Sequence, residues 1–128
     1  MNVLKFLAVA LAAAAIPLLA HHGTATSYDQ TKTVTIKGVV TQFLWRNPHS
    51  ALFVDVTGED GKVMNYSIEM FSPSLMVKQG YTRKVFKKGD VVTVDVHPSF
   101  ANKTSGECLG CRVTVNGVEP GNRGKGKQ

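Results

Sequence analysis

Cysteine is scarce in this sequence of 128 residues: there are two, Cys108 and Cys111, standing together as a single C-x-x-C. With no second C-x-x-C a zinc ribbon is excluded, and Arg112 in place of histidine after Cys111 excludes covalent haem attachment. Tryptophan occurs once, at Trp45. No basic stripe with interleaved aromatics is present, so no nucleic-acid partner is expected. A Gly-rich phosphate loop and a nucleophile elbow are also missing. No catalytic residue is assigned, and the chain is not read as an enzyme. Acidic residues are few, 9 against 15 Lys plus Arg, for a net charge of +6. Such a balance can favour anionic surfaces. However, Arg123, Lys125 and Lys127 sit in the Gly-rich stretch Gly121 to Gln128, so the folded part is expected to be only mildly basic.

The two ends differ in composition from the middle. Lys5 precedes an uncharged run of Leu, Ala and Val from Phe6 to Ala15, and the segment closes on Ala20. This is the pattern of a secretory signal, although Leu18 stands where a smaller residue is usual. The run is marginal for a membrane span and has no stop-transfer flank, so a retained anchor is the less favoured alternative. Residues 1–20 are therefore expected to be a signal peptide, with a mature start at His21 and a periplasmic or secreted location. Residues 21–118 are expected to form one β-barrel domain with an N-terminal lead-in, and 119–128 a disordered basic tail.

Between the ends, short alternating runs dominate. Lys32 to Trp45, Ser50 to Thr57, Lys62 to Met70 and Val91 to His97 have strand character, and Glu107 to Asn116 contains a fifth strand. Gly38 predicts a bend or bulge in the first. Gly58-Glu59-Asp60-Gly61 predicts a hairpin. A short helix is expected from Ser74 to Gln79, with Ser72 as N-cap, Pro73 at the first helical position and Gly80 as terminator. Ser99 to Gly106 is expected to be a loop. Three strands, a helix and two strands match a small all-β, five-stranded OB-like Greek-key barrel; a small open β-sandwich is the alternative.

Four histidines, His21, His22, His49 and His97, all lie at the ends of expected elements. A chain starting at His21 would carry an α-amine beside an imidazole, a pair that chelates Cu(II), Ni(II) or Zn(II), copper most tightly. Solvated residues at a mobile terminus are an equally good account of His21 and His22. Pairing about the hairpin puts His49 opposite Glu69 to Ser72 and on the same side as Glu69. Glu69 is thus a possible ligand or orienting partner of a histidine ligand, or one half of a structural hydrogen bond. His97 falls on the more polar side of its strand, where an ordinary strand-end residue is the simpler account. Cys108 and Cys111 favour a local disulfide in an exported protein. In one continuous strand they would lie roughly 10 Å apart, beyond the ~7 Å a bridge tolerates, so a bridge demands a turn at Leu109-Gly110. Free thiols are the second possibility, redox catalysis a distant third.

These motifs together resemble an uncharacterised domain-of-unknown-function family of small secreted bacterial proteins. The resemblance is carried by His21-His22, Lys37-Gly38 to Trp45, Asn47-Pro48-His49-Ser50, Glu69-Met70, Ser72-Pro73, Lys88-Gly89-Asp90 and His97-Pro98, over most of Ala20 to Val115. It implies a compact secreted β domain and brings no established activity. Every histidine of the chain falls in one of the family motifs, which raises the weight of a shared site. The Cys108–Cys111 pair departs from the family pattern.

The leading functional expectation is an exported protein that binds a transition metal such as copper through His21, His22, His49 and His97, with no stable membrane anchor. The alternative is a non-metal envelope binding module using the barrel face for a small ligand, glycan or protein partner. A copper oxygenase with a terminal histidine brace is allowed by the ligand chemistry, but the scaffold is small and offers no obvious substrate platform.

Overall fold

The computed structural model describes residues 26–121. Their strands are β1 (Val34–Leu44), β2 (Ala51–Thr57), β3 (Val63–Met70), β4 (Val91–Pro98), β5 (Ser105–Cys108) and β6 (Val113–Val115), with one helix, α1 (Pro73–Lys78), between β3 and β4. The sheet runs β1-β2-β3-β5-β4, and β4 pairs back onto β1, closing a five-stranded barrel. All pairings are antiparallel except β3 with β5. This is the order of an OB-like barrel, and closure removes the exposed edges that an open sandwich would keep.

β1 makes the closure possible because it serves two partners. Its first half, Val34 to Val39, pairs with β4, and its second half, from Val39, pairs with β2, with a bulge between Val40 and Gln42. Gly38 lies where the strand turns from one partner to the other. A Cβ there would overlap the Asp55 carbonyl oxygen and lie 2.7 Å from Val54 Cγ1, so only glycine allows β1 and β2 to approach this closely. The β2–β3 hairpin forms at the expected turn. Gly61 takes φ 77°, Gly58 N–H donates to the Lys62 carbonyl at 2.8 Å, and Asp60 Oδ1 accepts from Lys62 N–H.

Alternation decides what fills the barrel. Ile36, Val40, Leu52, Val54, Ile68, Met70, Val92, Val94 and Val96 point inward and are buried. Each such side chain is worth roughly 1.5–3 kcal/mol when fully buried. Met76 of α1 is buried against this core and Phe86 joins it, touching Phe43 edge-on. On β3 the alternation holds only in part: Ile68 and Met70 are buried, whereas Met64 is 47% exposed, because the hairpin end of the strand runs beyond the core.

Two expectations need correction. Ser72 stands at the N-cap of α1, but its side chain makes no capping bond, and the helix spans Pro73–Lys78. The final strand is not one segment from Glu107. β5 begins inside the expected loop, at Ser105, and pairs with both β3 and β4, while β6 pairs with β4 alone. The break between them is the turn at Cys108–Cys111. Gly110 takes φ 77°, the two Cα atoms are 5.0 Å apart, and the sulfurs are bridged. After β6, Glu119 Oε1 lies 3.4 Å from the Arg112 Nε.

Candidate functional site

The outer face of the barrel carries a polar row that crosses four strands. Ala51 of β2 pairs with Glu69 of β3, Glu69 with Glu107 of β5, and Glu107 with His97 of β4. Directly paired residues share a face, so Glu69, Glu107 and His97 are side by side outside the core. Across them runs the lead-in. It is tethered to the end of β4 through the Tyr28–Ser99 bridge, with Asp29 N–H donating to the Pro98 carbonyl and Phe100 N–H to that of Ser27. A turn at Asp29 to Lys32 shapes it: the Thr31 hydroxyl donates to Asp29 Oδ1 at 2.6 Å and Lys32 Nζ lies 3.2 Å from Oδ2. These contacts hold the Asp29 carboxyl below its ordinary pKa, the Thr31 bond most of all.

Each alternate lead-in residue takes one member of the row. The Tyr28 hydroxyl donates to Glu69 Oε2 at 2.7 Å, Gln30 Nε2 donates to Glu107 Oε1, and the Lys32 carbonyl faces His97 Nδ1 at 2.7 Å. Glu107 is 1% exposed, and its Oε2 has no hydrogen-bond partner among the described residues. The sequence signalled none of these contacts. Glu107 is an acidic residue inside a buried strand pattern, and Tyr28 and Gln30 are alternate positions of a polar lead-in; only the path of the lead-in joins them.

His49 stands at the far end of the row. Its Nδ1 is 2.6 Å from Glu69 Oε1, so both Glu69 oxygens accept hydrogen bonds, one from His49 and one from Tyr28. A carboxylate oxygen and a carbonyl oxygen can only accept here. Nδ1 therefore carries a proton in His49 and in His97, and in the neutral form of each ring the lone pair is on Nε2. His49 and Glu69 face an open cleft of about 500 Å³ that Tyr28, Arg46, Ser50 and Ser67 also line. Asn47-Pro48, joined by a cis peptide bond, forms its rim beside His49. Ser50 is fully buried, and its hydroxyl has no partner among the described residues.

The structure brings together two of the expected site residues, His49 and Glu69. His97 is separated from them by Glu107 and its strand, about two strand spacings from Glu69, on the order of 10 Å. No three His, Cys, Asp or Glu side chains converge on one point among the described residues. His21 and His22 lie outside the described residues.

Burial, followed by the Glu69 hydrogen bond and the Glu69 charge, pushes the Tyr28 phenol up from 10.0 to about 12. Because the folded value is the higher one, the neutral phenol's contribution is fully present below pH 10 and is lost as pH rises towards 12. Ultraviolet titration should show a late-ionising tyrosine that is absent in Tyr28→Phe, and Glu69→Gln should bring it to lower pH. An unchanged titration in Glu69→Gln would remove the carboxylate from the account.

No curated protein matches the sequence significantly. Residues 8–108, which include β1 to β5 and the whole polar row, match the family of unknown function DUF6152, and the chain belongs to that family.

Proposed function

We propose that this is an exported β-barrel protein that binds a transition metal ion, copper above all, with His49 as the ligand supplied by the barrel. One observation carries this reading: Glu69 holds His49 through Nδ1, and Tyr28 holds Glu69, which leaves Nε2 of a cleft-lining ring as the nitrogen for a metal ion. A carboxylate behind the second ring nitrogen is the usual support of a histidine ligand. The remaining ligands are the His21 imidazole and amine, with His22 beside them. From Thr26, two residues before the cleft-lining Tyr28, back to His22 is four residues, a reach of roughly 14 Å of extended chain. In this scheme that stretch brings the terminus to His49. His97 acts in this scheme as the clasp that holds Lys32 and so directs the lead-in along the row.

Nitrogen ligands favour Cu(II) over Zn(II). Calorimetry on protein beginning at His21 should show that preference, and binding should weaken as pH falls through the imidazole range, because a ligand imidazole must shed its proton. His49→Ala and a one-residue N-terminal extension should each weaken Cu(II) binding by roughly a hundredfold or more, beyond the 10–100-fold cost of losing a supporting contact. His97→Ala should cost less. Copper affinity unchanged by His49→Ala would reduce the site to a terminal chelate.

A second reading would then lead. The cleft lies on the β2–β3 face beside the β1–β2 loop, where OB barrels commonly take their ligands, and Arg46 with His49 suits a small anionic or hydroxylated ligand. This is fold-level analogy, and it is favoured by the cleft volume alone.

A further inference from the structure

Next to the polar row, on the inner face of the same strands, sulfur-bearing residues gather. Met70 of β3 and Cys108 of β5 are direct register partners and both are buried, at 3% exposed each. Met76 of α1, 2% exposed, lies over the same place. Cys111, half-buried, returns to Cys108 through the Gly110 turn. All four line a single void of about 10 Å³, closed further by Phe71 and Tyr81. Two buried methionines ordinarily just fill a core, and a C-x-x-C bridge ordinarily just staples a turn. Here they share one space, and that space is too small for an organic ligand. It holds about one water-sized body, which is room enough for a bare metal ion.

We propose that, once the bridge is reduced, Met70, Met76, Cys108 and Cys111 form a site for a soft monovalent ion, Cu(I). Thiolate and thioether sulfur select Cu(I) over hard cations. Opening the site needs two electrons and two protons. An external dithiol supplies both: its thiolate attacks the more accessible sulfur, that of Cys111, the Cys108–Cys111 bond breaks, and the reductant leaves as its own disulfide. Cu(I) then displaces the thiol protons and is held by two thiolates, with thioether sulfur completing the set. Copper stays Cu(I) throughout, and no further oxidant enters. The bridged form has no thiolate to offer, so the disulfide gates the site. The family match ends at Cys108, so Cys111, and with it the gate, lies beyond the matched region. The site is independent of the His49 cleft.

The test is Cu(I) titration of the whole mature protein against the chromophore bicinchoninate under nitrogen, before and after phosphine reduction and removal of the phosphine. Reduced protein should withhold one additional Cu(I) per chain from the chromophore. Cys111→Ser should abolish this. Met76→Leu, which conserves volume and therefore the fold, should weaken retention roughly tenfold or more. His49→Ala should leave it unchanged, which separates this site from the cleft. Equal Cu(I) retention before and after reduction would overturn the proposal. So would retention that survives Met76→Leu undiminished, or loss of the β circular-dichroism signal on reduction, since the site exists only in the folded barrel with α1 packed on it.

Discussion

Gly38→Ala should destabilise the protein by about 3 kcal/mol or more, a large part of the 5–15 kcal/mol that holds a typical domain together. The added Cβ meets backbone, the Asp55 carbonyl, as well as Val54 Cγ1 at 2.7 Å. A flexible side chain could turn aside, but this carbonyl is fixed by the pairing of β2 with both β1 and β3. Relief requires β1 to move away from β2 at the point where β1 passes from one partner to the other. Gly61→Ala is the control. Gly61 has φ 77° and open space around it, so that change carries only the backbone cost of about 1 kcal/mol. Urea denaturation should show a far larger drop in midpoint for Gly38→Ala than for Gly61→Ala. Equal drops would mean that β1 and β2 have room to separate.

The second large effect is expected at an exposed residue. Gln30→Ala should cost about 2–3 kcal/mol, where an ordinary surface substitution stays within about 0.5 kcal/mol. Gln30 supplies the only hydrogen bond that the Glu107 carboxyl accepts among the described residues, and Glu107 is 1% exposed with its other carboxyl oxygen already unpartnered. Removing the donor leaves a buried carboxyl wholly unsatisfied. The double variant Gln30→Leu/Glu107→Leu removes both partners and should recover much of the loss, because an apolar pair carries no stranded polar group. A double-mutant cycle measures the coupling. If Gln30→Ala is silent, water reaches Glu107 and the lead-in is not what seals it.

The support of His49 in its cleft and the Gln30 effect share a cause. The lead-in passes Lys32 at His97, Gln30 at Glu107 and Tyr28 at Glu69 in turn. Loosening it at any of these points should weaken the support of His49.

Local patterning sufficed for the first four strands and the helix. Val92, Val94 and Val96 alternate inward because side chains on a strand change sides at every residue, and Gly58 to Gly61 sets the hairpin because φ near 77° at Gly61 suits glycine. The hairpin register then puts His49 within reach of Glu69, an encounter governed by short-range geometry and so visible in the order of residues. The division of the last strand was not visible there. The Cys108–Cys111 turn ends β5 where β3 and β4 both claim it, and β6 resumes on β4 alone; which partner wins is settled by barrel closure. Glu107 likewise looks like any strand carboxylate, and its burial comes from a segment more than seventy residues away in sequence. The same holds for His97, whose Nδ1 is claimed by the Lys32 carbonyl. Periodicity reports which way a side chain faces relative to its own strand, whereas what covers that face depends on the path of distant chain, which only the closed barrel and its lead-in decide.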